Sequence, residues 1–240
     1  MSRLSRRFGA LVLLLLVATA IGAEPAGQVV YLSGTLSARA ADGATRLLAV
    51  GSDFDDGDVL STLQDSYARI RFVDGSEIAL RPATRLEIAQ VSYREEAPAE
   101  DSFVVRLLKG GLRAVTGRVS TRSRDRVRYD TPAATIGIRG THFGLLVCQA
   151  DCEGLESLAG RPLRDGLHVD LVQGAIELTN RAGSLQMAEG QFAYVADADT
   201  APRLADEDER YRVAMPASVL FDLTPEVWSD GVKCDNCALR

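Results

Sequence analysis

From residue 28 to about 195, apolar positions come in short alternating bursts, with no sustained 3.6-residue periodicity. In the clearest burst Ile70 and Phe72 alternate with Arg69 and Arg71, Asp74-Gly75 follows, and Ile78 and Leu80 alternate with Glu77, Ala79 and Arg81. A period of two on either side of Asp-Gly is the pattern of a β-hairpin, because both turn residues tolerate positive φ. The same grammar returns over 169–187, where Gln173-Gly174 and Ala182-Gly183 punctuate alternations around Leu171, Ile176, Leu178 and Leu185. Further strands are predicted at 28–33, 59–63, 103–108, 111–116, 126–129, 134–138 and 143–148, with Gly110-Gly111 as a turn between two of them. Turns recurring about every 8–12 residues suit a sandwich, a barrel or a solenoid. The expected fold is therefore all-β, one domain of short strands, either β-roll or solenoid-like or a sandwich, although no exact repeat is present.

Two stretches interrupt this pattern. The acidic run 95–101 (EEAPAED) reads as an exposed loop, and the acidic 196–209, which holds Pro202, marks the end of the β domain. Beyond it Val219, Leu220, Phe221, Leu223, Val227 and Trp228 form an apolar patch expected to pack back on the domain or to offer a docking strip.

At the other end Arg3, Arg6 and Arg7 precede an apolar run over 8–21, then small residues and Glu24, the layout of a secretory signal peptide. Cleavage is expected after Ala23, with Ala20 as the alternative. The run is shorter than the roughly 20 residues that span a bilayer core. The mature chain is thus expected in the periplasm and not membrane-spanning, with inner-membrane anchoring by an uncleaved segment as the alternative. No cysteine near the cleavage point points to a lipoprotein. The organisation expected is a signal peptide over 1–23, a β domain over 28–195, and an acidic linker with a C-terminal tail over 196–240. Removing the leader takes three arginines, leaving 24 basic against 33 acidic side chains, a net of −9. That balance argues against nucleic acid as a partner.

Four cysteines fall in two close pairs, Cys148 with Cys152 and Cys234 with Cys237. In an oxidising compartment two local disulfides are expected, each pinning a turn. Zinc held by Cys148 and Cys152 with His142 or His168, or by the tail pair Cys234-x-x-Cys237, and thiol-redox chemistry at that tail pair are the competing readings. Asp53, Asp55, Asp56 and Asp58 depart from the EF-hand spacing and read as a solvated acidic turn. No nucleophile elbow, hydrolase triad or Walker-type loop is present, so neither catalysis nor a cofactor is expected.

The segment 130–143, DTPAATIGIRGTHF, carries Thr131-Pro132 followed by Arg139-Gly140-Thr141 and Phe143. It resembles the central motif of the FecR family, a Thr-Pro-x-Ala stretch leading into Arg-Gly-Thr-x-Phe. Gly57-Asp58, Thr62, Ser66, Ala68, Phe72, Asp74-Gly75-Ser76 and Leu80 match the earlier part of that pattern. The resemblance covers roughly 28–195. It implies a periplasmic β domain with a protein-contacting or ligand-sensing role. The best-known members also relay receptor occupancy to a sigma factor through a cytoplasmic N-terminal portion. Only seven residues precede the apolar run here, so that relay is not expected to transfer whole.

Physically, Pro132 suits a strand start or edge, and Gly137 and Gly140 permit bulges. Arg139 between them could clamp neighbouring carbonyls or a carboxylate, or recognise a partner. The strongest charge feature is Arg118, Arg122, Arg124, Arg126 and Arg128, with Lys109 and Arg113 nearby. Alternate spacing is expected to place Arg122, Arg124, Arg126 and Arg128 on one strand face, either solvated or docking an acidic partner. The function expected is a non-catalytic binding or scaffolding module for an envelope protein, in envelope or iron-responsive signalling. The alternative is a metal-binding or thiol-redox periplasmic protein using its cysteine pairs.

Overall fold

The structure, a computed structural model, describes residues 24–220. The leader, the tail residues from Phe221 onward and the pair Cys234 and Cys237 lie outside the described residues.

The strands follow the alternation closely. They are β1 (Gly27–Ser33), β2 (Leu36–Arg39), β3 (Thr45–Leu48), β4 (Asp53–Phe54), β5 (Val59–Thr62), β6 (Tyr67–Phe72), β7 (Glu77–Leu80), β8 (Arg85–Ser92) and β9 (Ser102–Val115). A short helix α1 (Arg118–Arg122) precedes β10 (Val127–Asp130), β11 (Thr135–Cys148), β12 (Gly166–Asn180), β13 (Gly183–Ala188), β14 (Phe192–Val195) and β15 (Arg203–Leu204). The predicted hairpin is β6–β7, in which Ile70 faces Ile78 across the ladder.

Hydrogen bonding joins all fifteen strands into one sheet, and the registers show it folded into two layers. The first halves of β9 and β11 pair with β10, and β9 also pairs with β8. Their second halves pair with each other, and β9 also with β7. β12 divides in the same way, pairing with β14 at its start and β13 at its end. One layer therefore runs β3-β2-β5-β8-β9-β10-β11-β12-β13 and the other β4-β1-β6-β7-β9-β11-β12-β14-β15.

Their inner faces meet in a single apolar core. Phe72 of the second layer packs edge-on against Phe103 of the first, with ring centroids 4.8 Å apart, and Tyr129 of the first packs against Phe143 of the second at 5.0 Å. Each buried ring contributes about 1.5–3 kcal/mol of transfer free energy. The expectation of an all-β roll or sandwich holds.

Three sequence signals have a different structural meaning. Gly110-Gly111 and Gln173-Gly174 are not turns between strands but lie within the continuous strands β9 and β12, and the two segments predicted at 134–138 and 143–148 are one strand, β11. β11 and β12 stay paired with each other as they turn the corner between layers, while β9 exchanges β8 and β10 for β7 and β11. Gly140 (φ +58°) and Gly174 (φ +89°) form the corner of β11 and β12, and a Cβ on Gly174 would fall on the carbonyl of Gly140. Locally such a glycine is indistinguishable from a turn residue.

The second difference concerns the arginines. Arg122, Arg124, Arg126 and Arg128 do not share a strand face: Arg122 ends α1, Arg124–Arg126 is a 3₁₀ turn, and only Arg128 lies on a strand. The cause is topological. β10 runs parallel to the first half of β9, so the chain needs a crossover after β9, and residues 116–126 supply it.

Third, acidic segments are less exposed than their composition implies. Asp58 is buried and held by Arg46, Asp101 at the end of the EEAPAED run is fully buried, and the acidic segment after residue 196 contributes β15, which pairs with β14. From residue 205 the chain then crosses the outward side of the second layer as a strap. Val213 lies over Arg113 and Asp170, Tyr211 accepts a hydrogen bond from Arg81, and Leu220 O accepts one from Arg69 at 2.8 Å.

Candidate interaction surface

The strap covers part of the second layer's outward side, whereas the first layer presents an open sheet face around β9, β10, β11 and β12. Outward positions there follow from register. Arg128 faces Gly137, Gly137 faces Glu177, and Arg106 faces Asp130. Arg139 projects from the same side of β11 as Gly137. Running the β10–β11 register two residues past the strand sets Arg126 across from Arg139.

Ion pairs on this face are unevenly distributed. Arg106 Nη1 lies 2.6 Å from Glu87 Oε1, and Arg128 Nε lies 3.1 Å from Asp130 Oδ2. Arg126 reaches only a backbone oxygen, that of Asp101, at 3.4 Å. The side chains of Arg124 and Arg139 are exposed and make no hydrogen bond or ion pair among the described residues. The Arg139 side chain thus ties no neighbouring carbonyl or carboxylate among the described residues. A guanidinium that keeps its five donors uncommitted remains available to a carboxylate from outside.

Arg122 is the opposite case. Its guanidinium makes a bidentate pair with Asp101, at 2.6 and 2.9 Å, donates to the carbonyls of Arg94 and Glu95, and stacks on Tyr93 with its centre 4.4 Å from the ring centroid. Burial pushes Asp101 up, but Arg122 and the Arg94 N–H outweigh it and leave the carboxyl below its ordinary range. Arg122 therefore anchors the crossover to the acidic loop.

The rest of the family-like motif is scaffold. Thr131 Oγ1 accepts the N–H groups of Ala133 and Ala134 and donates to the carbonyl of Ala134, closing the turn between β10 and β11 in which Pro132 is exposed. Gly140 forms the corner, Thr141 N donates to Thr116 Oγ1 at 2.9 Å, and Phe143 fills the core. Cys148 and Cys152 are joined in a disulfide beside a small second core containing Leu146, Tyr211 and Val213. Both sulfurs are thus committed, which removes the zinc reading at this pair. His142 is buried, with burial first and Arg113 second pushing its pKa down to about 3, and burial lowers His168 as well. Among the described residues no cluster of three or more His, Cys, Asp or Glu side chains is placed to hold a metal ion.

One buried polar group was not foreseen. Arg113 Nη2 pairs with Asp170 Oδ2 at 2.7 Å, Arg113 Nε donates to Val213 O at 3.0 Å, and Val213 N donates to Asp170 Oδ1 at 3.1 Å. Gly144 stands between Arg113 and Asp170 in the ladder, and a side chain there would displace Val213. In the sequence Arg113 and Asp170 occupy outward positions that look solvated. Register alone could have joined them across Gly144, but only the strap shows that they are covered.

Together the features define an all-β domain of two layers joined by corner-turning strands, with one outward side strapped and the other open. The sequence matches the FecR protein family model over residues 58–177, half of its length, and the chain belongs to that family. Two crystal structures of a proposed anti-sigma factor from Parabacteroides distasonis are similar, at 14% identity with a TM-score of 0.45 and at 13% with 0.44. Each comparison covers 62% of this chain and 60% of that one, so the likeness spans less than two thirds of the solved chain. No curated protein matches the sequence. Among the described residues no helix is long and apolar enough to cross a membrane.

Proposed function

We propose that the chain is an exported FecR-domain signalling module that binds an envelope protein through the open face of its first layer. The observation that carries this reading is Arg139: in the family-like motif it is the charged side chain that neither closes a turn nor fills the core, and among the described residues it stands exposed and uncommitted, with Arg126 and Arg128 on the neighbouring strand side and the exposed Arg124 in the crossover that leads to it. Family membership supports the regulatory role, and the N-terminal sequence pattern supports export. The partner's complementary surface carries carboxylates, for which a bidentate guanidinium is the matching group.

The test has two stages. Crosslinking in intact cells, followed by capture of the tagged chain, identifies a partner. The purified partner is then titrated against wild type and against a variant with Arg124, Arg126, Arg128 and Arg139 changed to Ser, leaving Arg122 in place. The expected result is binding weakened at least about tenfold with an unchanged unfolding midpoint. Equal affinity for both proteins rejects this face as the contact.

A further inference from the structure

We infer that β3 is a self-pairing edge through which two copies of the chain join their first layers into one continuous sheet. Among the described residues β3 pairs with β2 alone, so its other side is an edge. The hydrogen-bonding phase identifies which groups it offers. Ala40 N donates to Ala44 O at 2.8 Å, so the bonded positions of this antiparallel pair are Ala40 with Ala44, Ala38 with Arg46 and Leu36 with Leu48. Thr45 and Leu47 alternate with these and turn their N–H and C=O groups outward. No described residue satisfies those four groups.

The side chains guard the edge only weakly. Natural edge strands are protected by Lys, Pro, a bulge or an inward-pointing charge. β3 reads Thr-Arg-Leu-Leu, pairs with β2 without a register shift, and leaves Leu47 76% exposed. Its one charge, Arg46, stands on the inward side with the buried Leu48 but is neutralised there, because both terminal nitrogens are hydrogen-bonded to the buried Asp58, at 3.0 and 2.6 Å, and it approaches Asp55 at 3.6 Å.

A second copy fits this edge by symmetry. A two-fold axis through Arg46 sets Thr45 opposite the other copy's Leu47 and Leu47 opposite its Thr45. All four outward backbone groups of each strand are then bonded, and the exposed leucine sides of the two edges meet. Arg46 falls next to its counterpart at the axis, where Asp58 and Asp55 of each copy cancel the repulsion. Two-fold pairing of this kind closes on itself and yields a dimer, not a fibre. With so short a seam the dimer is weak, with a dissociation constant on the order of micromolar or above.

The test is sedimentation velocity of the purified chain over about 1–300 µM, together with Leu47→Lys and Thr45→Pro. Neither substitution removes an intramolecular bond: Leu47 is exposed, and the Thr45 N–H points outward, where proline is tolerated on an edge strand. The expected result is a concentration-dependent dimer whose dissociation constant rises at least about tenfold in both variants while their thermal midpoints stay at the wild-type value. A chain that remains monomeric over the whole range, or a dimer that both variants retain unchanged, overturns the inference.

Discussion

Arg113 Nη2 stands 2.7 Å from Asp170 Oδ2 with neither side chain more than 6% exposed, and the same two groups hold both backbone polar atoms of Val213. The pair is thus the fastening of the strap. Removing one partner of such a pair leaves a buried charge uncompensated, which costs about 3–5 kcal/mol. Asp170→Asn is expected to destabilise by that order in urea unfolding, and to open residues 205–220 to protease before the rest of the domain. A variant with wild-type stability and an uncut strap would show that Val213 is held by packing alone.

The buried histidines make stability depend on pH. His142 titrates at about 3 when folded, against an ordinary value of 6.5. The depression means that protons bind the unfolded chain first, so His142 contributes no loss above pH 6.5 and a growing loss as pH falls from 6.5 towards 3. The slope approaches about 1.4 kcal/mol per pH unit in that window. His168, also lowered, adds to the upper end, and Asp101 and Glu209, held low, add to the loss below the ordinary carboxylate range. Asp74, raised by burial, opposes them. Urea midpoints measured between pH 7.5 and 4.5 are expected to stay nearly level down to about 6.5 and to fall below it, and His142→Gln to flatten the fall. A level wild-type profile over that range rules this linkage out.

Strand positions were legible wherever one face met the core, as at Ile70, Phe72, Ile78 and Leu80, because burial imposes a period of two. The layer to which each half-strand belongs was not legible. Gly140 and Gly174 carry the residue type of a turn while serving as a corner, and only pairing on both sides distinguishes the two. Burial of Arg113 and Asp170 was hidden for a related reason: an outward position reads as solvated until a distant segment covers it. The candidate surface was half legible, since Arg128 and Arg139 do face outward while Arg122 was drawn inward by Asp101, a residue in what reads as a solvated acidic loop.

Two glycines of one strand separate these environments. Gly144 in the second half of β11 is covered by Val213, and an added Cβ would lie 2.7 Å from Val213 Cβ and fall on the Asp170 carboxylate. Gly137 in the first half faces open space, with nothing nearer than 3.9 Å. Gly144→Ala is therefore expected to destabilise by about 3 kcal/mol, and Gly137→Ala to be neutral or slightly stabilising because alanine restricts the unfolded chain. Thermal unfolding of the two variants side by side measures the difference. Equal midpoints would mean that the strap does not press on Gly144.

The arginines of the crossover divide by role, and the division can be read without knowing the partner. Arg122 is bound by both oxygens of Asp101 and by two carbonyls, so Arg122→Ala breaks the anchor between α1 and the loop before β9. Arg124→Ala and Arg139→Ala remove exposed side chains with no hydrogen bond or ion pair among the described residues, and surface changes of that kind stay within about 0.5 kcal/mol. The expected outcome is a lowered unfolding midpoint for Arg122→Ala alone, together with loss of the shielding of Tyr93 that fluorescence quenching by acrylamide reports. For partner binding the pattern reverses: Arg124→Ala and Arg139→Ala weaken it at full stability, whereas Arg122→Ala weakens it only in proportion to the folded fraction lost. If Arg139→Ala lowers stability as much as Arg122→Ala does, Arg139 belongs to the scaffold and the open face has lost its main recognition group.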